Sequence, residues 1–475
     1  MDVGTAVLNL RSRDLEKAAS RLLTWLVILA VAVVPLLIDL SNLDDTYYAG
    51  KARALSILTP VILAGLLASR GFSVLRRAKL FGPLMVFVTA VALATIVSVN
   101  PAWSLVGAPR RHEGLLSLLA YAVLCAGTLV VVARGGLTIW LTAVLAGGTL
   151  AGIYGIAQYF GFELIVRDSV RVDWWRPFST SGNPNFLGAY MVLIAPLAVA
   201  ALLTARRRSM ALLSLGALAV SVLTAFCTYS RAAWLGLAVA AAVFVGLSAR
   251  RLTRADAQGP WRRLAGACAI VVVLAGMFFA SHSPLGASRA DWSAAQRAWT
   301  AIEPSDPQGG FRWRLYFWRH TLQLLAKRPV LGYGPESLAL VFPQGWDAER
   351  TRLFGDMMFT PPKVDKAHNE TLDMAISIGI LGVAAFWWVS IAAARAGKAA
   401  LGVPGSQWAL AAACLASMAG YWVDVQWHFS VVSVAPVFWS VMGAAGGISV
   451  GPRGPNPIPL SLEGEGRVRG PEELL

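Results

Sequence analysis

The sequence predicts an all-α polytopic membrane protein of about 12 transmembrane helices, with a long extracytoplasmic loop carrying short helices. Three observations lead there. Of 475 residues, 56% are hydrophobic and only 14% charged, where a soluble domain carries roughly 25%. The apolar residues are gathered into runs, many close to the 20 or so residues that a helix needs to cross a hydrocarbon core. The basic residues fall between those runs in a sided pattern. This composition excludes a disordered chain, a coiled coil and an ordinary cytosolic enzyme. No segment alternates like a barrel strand.

A polar leader, 1–21, precedes the first run, 22–39. Asp39 and Asn42 follow it without a small-residue cleavage site, so it reads as a signal anchor rather than a cleaved signal peptide. Further runs lie at 54–69, 80–99, 115–133, 137–159, 186–204, 210–228, 232–248, 264–281, 371–394, 408–426 and 429–449. Those at 54–69 and 232–248 are short for a span. The runs define one membrane domain, 22–449, with no soluble domain and no internal repeat. The loop 160–185 is of medium length, and 282–370 is too long for a plain connector. The longer one contains a predicted helix, 312–327, and a Gly/Pro-rich stretch, Pro329–Pro343. The tail 450–475 has no apolar period and is expected to be disordered.

The net charge of +15 (41 Lys and Arg against 26 Asp and Glu) would suggest nucleic acid in a soluble protein. Here it sorts by side. The leader, the even-numbered loops and the tail hold 22 of the basic residues and 8 of the acidic ones, leaving one side at +14 and the other at +1. By the positive-inside rule the first side is cytoplasmic, with both termini. Cys125, Cys227, Cys268 and Cys414 lie in separate apolar runs, with no CxxC or Cys/His metal spacing. They read as small core residues, not disulfides or ligands.

The informative polar residues are on the outer side. His368, in KVDKAHNETL, precedes a membrane helix. It can serve as a general base, since its ordinary pKa is near 6.5, or simply lie beside Asn369, a good N-cap residue. Arg231, in TYSRAAW, sits in a tight hairpin at the membrane edge. It either snorkels to headgroups or holds a phosphate with its planar fork. In FRWRLYFWRH, Arg312, Arg314, Arg319 and His320 alternate with aromatics, and Arg314 and Trp318 share a helix face at i, i+4. That pattern fits an interfacial amphipathic helix as well as one aiming Arg314 into a site. Gly332-Tyr333-Gly334-Pro335 is a turn and a weak phosphate signal. Ser179, Ser181, Asn183 and Asn185 can cap the sixth run or bind sugar. Lys51, Arg110 and Arg111 are further candidates for an anionic ligand, beside His112 and Glu113. Asp44 and Asp45 form a pair that lacks a third metal ligand.

Together these segments resemble the O-antigen ligase family. The resemblance spans nearly the whole chain: the helix count, the long outer loop, and four motif regions in order. These are Asn183-Pro184-Asn185, the Ser230-Arg231 hairpin, the Arg314/Trp318 helix followed by Pro329-x-x-Gly332-x-Gly334, and His368-Asn369 followed by Gly379–Gly382. Each is weak alone. Their order makes them specific.

The resemblance implies a glycosyltransferase on the periplasmic face of the inner membrane. Its donor would be an undecaprenyl-pyrophosphate-linked glycan and its acceptor a hydroxyl of lipid A–core. Arg231 and Arg314 would be catalytic and bind the donor pyrophosphate, aided by Arg312, Lys51, Arg110 or Arg111. His368 would be the general base, and Asn183, Asn185, Trp318 and Asn369 would support the site. No metal or other cofactor is implied, and inversion at the anomeric carbon is expected. A polymerase extending lipid-linked repeats uses the same donor, and a protein O-oligosaccharyltransferase stands third. A flippase or transporter, the rival class, would place charges near the midplane. Here they cluster at the edge.

Overall fold

In a computed structural model, the described residues are 3–164, 176–252, 262–266, 268–271, 273, 276, 310–345, 347, 349, 351–352, 364–402 and 407–451. Among them the chain is helical with no strand. Eight helices are long and apolar enough to cross a membrane, or up to nine if a bent pair counts as one span. This is a multi-pass membrane protein; the expected count of about 12 includes a run, 264–281, that lies partly outside the described residues.

The first helix, α1 (Val3–Ala32), runs back from the predicted anchor into the leader, and α2 (Ala49–Ala68) gives full span length to the short second run. The third run is α4 (Phe81–Ile96), bent by 103° from the short α3 (Gly71–Arg77). After the short α5 (Pro101–Val106), helices α6 (Leu115–Val131) and α7 (Leu137–Tyr159) join through residues 132–136 as one helical stretch of 45 residues. That length is about twice what one span needs. Gly135, at φ +95°, breaks it. Gly127 of α6 packs on Leu23 and Val27 of α1, and Gly147 of α7 packs on Ala32. Both arms therefore rise along α1 from the turn, where Arg134 reaches Ser20.

Next come α8 (Pro184–Thr204), α9 (Arg208–Cys227) and α10 (Arg231–Leu252). Helix α8 is the axis of the bundle; Tyr190, Met191, Leu193 and Ile194 are wholly buried. Half of the run 264–281 lies outside the described residues, as do all of 282–309, 353–363 and the tail from 452. The predicted helix in the long loop is α11 (Gly310–Lys327), followed by a turn and the short α12 (Leu338–Val341). Three helices close the fold: α13 (Glu370–Ala400), α14 (Gln407–Val425) and α15 (Ala435–Val450). The last is shorter than its apolar run, because residues 426–434 are drawn into a loop.

Two kinds of end result. Helix α2 begins where Lys51 reaches Thr180 and ends at Ser69, whose carbonyl accepts from Arg134. Arg70, Arg76, Arg77 and Lys79 follow Ser69 at that second end. The first end gathers residues 37–48, 176–183, 228–231, 364–369 and 426–434. Cys125, Cys227 and Cys414 are buried, but Cys268 is exposed, correcting its expected place in the core. An apolar run does not distinguish a core-facing position from a lipid-facing one.

Candidate active site

Arg231 opens α10 directly after a hairpin of polar side chains. Thr228 Oγ1 donates to the Ala225 carbonyl (2.7 Å) and accepts from Ser230 N–H (3.3 Å). The hairpin rests on Gly188 of α8, where a Cβ would lie 2.7 Å from that of Ala233. Arg176, which the sequence reading passed over, ties two motifs together. Its Nε donates to the Thr228 carbonyl at 2.6 Å and its Nη2 to Asn185 Oδ1 at 2.8 Å. Asn183 accepts from Asn185 N–H at 2.8 Å as the N-cap of α8, with Pro184 at the first helical position. A lone arginine in Trp174-Trp175-Arg176-Pro177 was the available signal.

Helix α11 presents the expected face. Arg314 Nε donates to the Trp427 carbonyl at 3.1 Å. One turn on, Trp318 Nε1 donates to the Ala367 carbonyl at 3.0 Å, with its ring 6.4 Å from that of Trp427. Burial, then the neighbouring Arg231, push the Arg314 pKa down to about 10. The two guanidiniums therefore feel each other. Arg312 is exposed, off that face.

His368 lies beside the same loop, 426–434. Its ring lies 6.0 Å from Phe317 and 5.4 Å from Phe429. Its backbone is left-handed, at φ +54°. Burial, then Arg314, push its pKa down to about 4, so the imidazole is neutral near pH 7. Asn369 caps α13 by accepting from Leu372 N–H (3.0 Å) and donates to the Gln426 carbonyl (3.1 Å). Sequence reasoning also passed over the residues that hold this stretch. Asp365 pairs with Arg111 (2.7 Å), and Lys366 pairs with Glu336 (2.6 Å). Burial raises the Asp365 carboxyl, but Arg111 outweighs it and holds the pKa below its ordinary value. The charged tetrapeptide Lys363–Lys366 before His368 was the sign.

Other candidates have different roles. Lys51 is fully buried and donates to three carbonyls, of Leu37, Tyr47 and Thr180, at 2.5, 2.8 and 2.8 Å. An ammonium has three N–H groups, so none remains for a phosphate. Arg110 is exposed beside Asp44. Arg111, engaged by Asp365, lies over the Phe429 ring at 4.9 Å. The Asp44/Asp45 pair is split. Asp45 meets His112 Nε2 at 2.5 Å and accepts from the first amides of α2. Among the described residues no group of His, Cys, Asp or Glu is arranged to hold a metal ion.

The Gly332-Tyr333-Gly334 turn binds backbone rather than phosphate. Helix α13 is broken at Gly379, φ +67° and ψ 180°. The break strands two carbonyls before it and two amides after it. The carbonyls of Ile376 and Ser377 accept from Tyr333 and Gly334 N–H (2.8 and 2.9 Å), and Ile380 and Leu381 N–H donate to Pro329 and Val330 (2.8 and 3.3 Å). A Cβ at Gly379 would lie 2.0 Å from the Val330 oxygen.

Arg231, Arg314, Trp318, His368 and Asn369 thus converge on one end of a membrane bundle. They also fall within one matched segment, since residues 216–387 match the family model described as O-antigen ligase. The chain carries an O-antigen ligase family domain. This O-antigen ligase segment starts within α9 and ends within α13. Asn183, Asn185 and Arg176 lie before it, joined to it through the Thr228 hairpin. No curated protein matches the chain. The family that this segment matches implies glycosyltransferase-like activity in a general sense.

Proposed function

We propose that this protein transfers a glycan from undecaprenyl pyrophosphate to an acceptor hydroxyl, lipid A–core being the acceptor, on the periplasmic face of the inner membrane. The observation that carries this is the convergence of Arg231, Arg314 and His368 at one end of the bundle, where Arg231 lowers the Arg314 pKa and Arg314 that of His368. Two partly buried guanidiniums this close suit a dianionic leaving group. The basic end of the bundle supports cytoplasmic termini, which puts the site outside.

The acceptor oxygen attacks the anomeric carbon opposite the pyrophosphate, and the sugar–phosphate bond breaks with inversion. The electron pair leaves on the phosphate oxygen, where Arg231 and Arg314 stabilise the developing charge. The hydroxyl proton passes to the neutral imidazole of His368. A bound pyrophosphate offsets the Arg314 charge that disfavours protonated His368, so donor binding makes the imidazole a better base. These side chains do the work with no cofactor.

The test uses purified protein, undecaprenyl-pyrophosphate glycan and lipid A–core. Transfer to the core is expected, with loss of at least about 100-fold in Arg231→Ala, Arg314→Ala and His368→Ala, in line with removal of a positioned base or charge stabiliser. Growth of a ladder on the lipid carrier instead would make it a polymerase. A parental rate in His368→Ala would remove the base assignment.

A further inference from the structure

Every residue from Val364 to Asn369 except His368 is tied by a hydrogen bond. Gln344 binds both the N–H and the carbonyl of Val364, Arg111 holds Asp365, Glu336 holds Lys366 and Gln426 holds Asn369. One of the two ties adjoining His368 is at Ala367, which has no solvent exposure. Its carbonyl accepts from Trp318, and its N–H donates to Asp373 Oδ1 at 2.7 Å, the shorter of the two bonds. Asp373 comes from the first turn of α13 and is 5% exposed. Its Oδ2 has no hydrogen-bond partner among the described residues, and it lines a cavity of about 70 Å³ with Glu113, Glu336, Lys366 and Glu370. A carboxylate set this deep costs free energy. Among the described residues the Ala367 amide is the one group that donates to the Asp373 side chain, with the Lys366 charge nearby. The residue it fixes precedes His368, whose left-handed backbone is itself unfavourable for a side chain with a Cβ.

We propose that Asp373 is a positioning residue: it clamps the Ala367 amide, opposite the Trp318 clamp on the carbonyl, and so holds His368 in the left-handed conformation that turns its imidazole towards Arg314. This rests on the reading of His368 as the base. Asp373 touches no substrate and acts only through the peptide.

Full-length protein in detergent carrying Asp373→Ala, Asp373→Ser or Asp373→Asn tests it. Asparagine keeps an oxygen at the same reach, while serine is polar but too short. For Ala and Ser the turnover rate should fall about tenfold, as for one lost hydrogen bond in a buried setting, with the donor KM changed less than about twofold. Hydrogen exchange at residues 364–370 should quicken in both. Asparagine should restore both the rate and the protection. If Ala does not fold, Ser gives the same comparison. Parental turnover and exchange in Ala or Ser would overturn the proposal, as would an Asn variant as impaired as Ser, because charge rather than the clamp would then matter. A His368→Ala protein at parental rate would sink the base reading separately, leaving the exchange measurement to decide the clamp.

Discussion

The depressed pKa of His368 makes a sharp prediction about acid. The perturbation is a shift from pH 7.5 to 5.5. An imidazole at its ordinary value of about 6.5 would be about nine-tenths protonated at the lower pH, and a base-dependent rate would fall about tenfold. His368, held at about 4 by burial and Arg314, would be protonated by only about 3% at that pH. The profile of kcat/KM for the donor reports the free enzyme and that of kcat the bound complex. The first should therefore stay flat down to about pH 5. The second should carry its acid limb at higher pH, because the bound pyrophosphate offsets Arg314. Arg314→Gln, whatever its residual rate, should move the kcat/KM limb upward. Initial rates of glycan transfer across buffers of constant ionic strength provide the assay. A tenfold fall in kcat/KM centred near pH 6.5 would refute the electrostatic account of the site.

Three further outcomes follow from the packing. Gly379→Ala should destabilise by roughly 3–5 kcal/mol, from a glycine-only conformation and strained ladder hydrogen bonds; thermal unfolding in detergent reads it. Lys51→Met should leave three buried carbonyls unsatisfied and cost about 2–4 kcal/mol, while the donor KM of the folded fraction stays at the parental value. The folded pKa of His368 lies below its unfolded value, so its contribution to stability is complete above pH 6.5 and is lost as pH falls towards about 4. Each pKa unit is worth about 1.4 kcal/mol, discounted for the exposed part of the ring, so denaturant titrations at pH 7 and 4.5 should differ by about 1–3 kcal/mol, the acid value being lower.

The sequence made most of this architecture legible because lipid imposes a simple rule: apolar runs of span length become helices. It was less informative where helices bend. The break at Gly379 lies inside one apolar run, where hydropathy cannot mark it, and the gap between two runs at Gly135 does not show that the helix continues across it. The pairing of Arg314 with Trp318 was readable from spacing alone, since four residues on a helix set a face. The role of Lys51 was not, because three carbonyl partners from distant loops leave no mark in the sequence. Arg176 and Asp373 were obscured for the same reason: each acts on backbone atoms, which every residue carries alike.

The ladder between residues 329–334 and the break in α13 has a consequence for how this site tolerates change. Its four hydrogen bonds are all between main-chain atoms. Exchanging the side chains of Val330, Leu331, Ser377 or Ile380 leaves the alignment of the two segments untouched. Adding or removing one residue between Pro329 and Gly334 would instead shift the whole alignment by one position. The separation of Arg314, carried on one segment, from His368, carried on the other, is thus fixed by the residue count and by the glycines at 332, 334 and 379, so the two share a ruler that substitution elsewhere along it cannot easily bend.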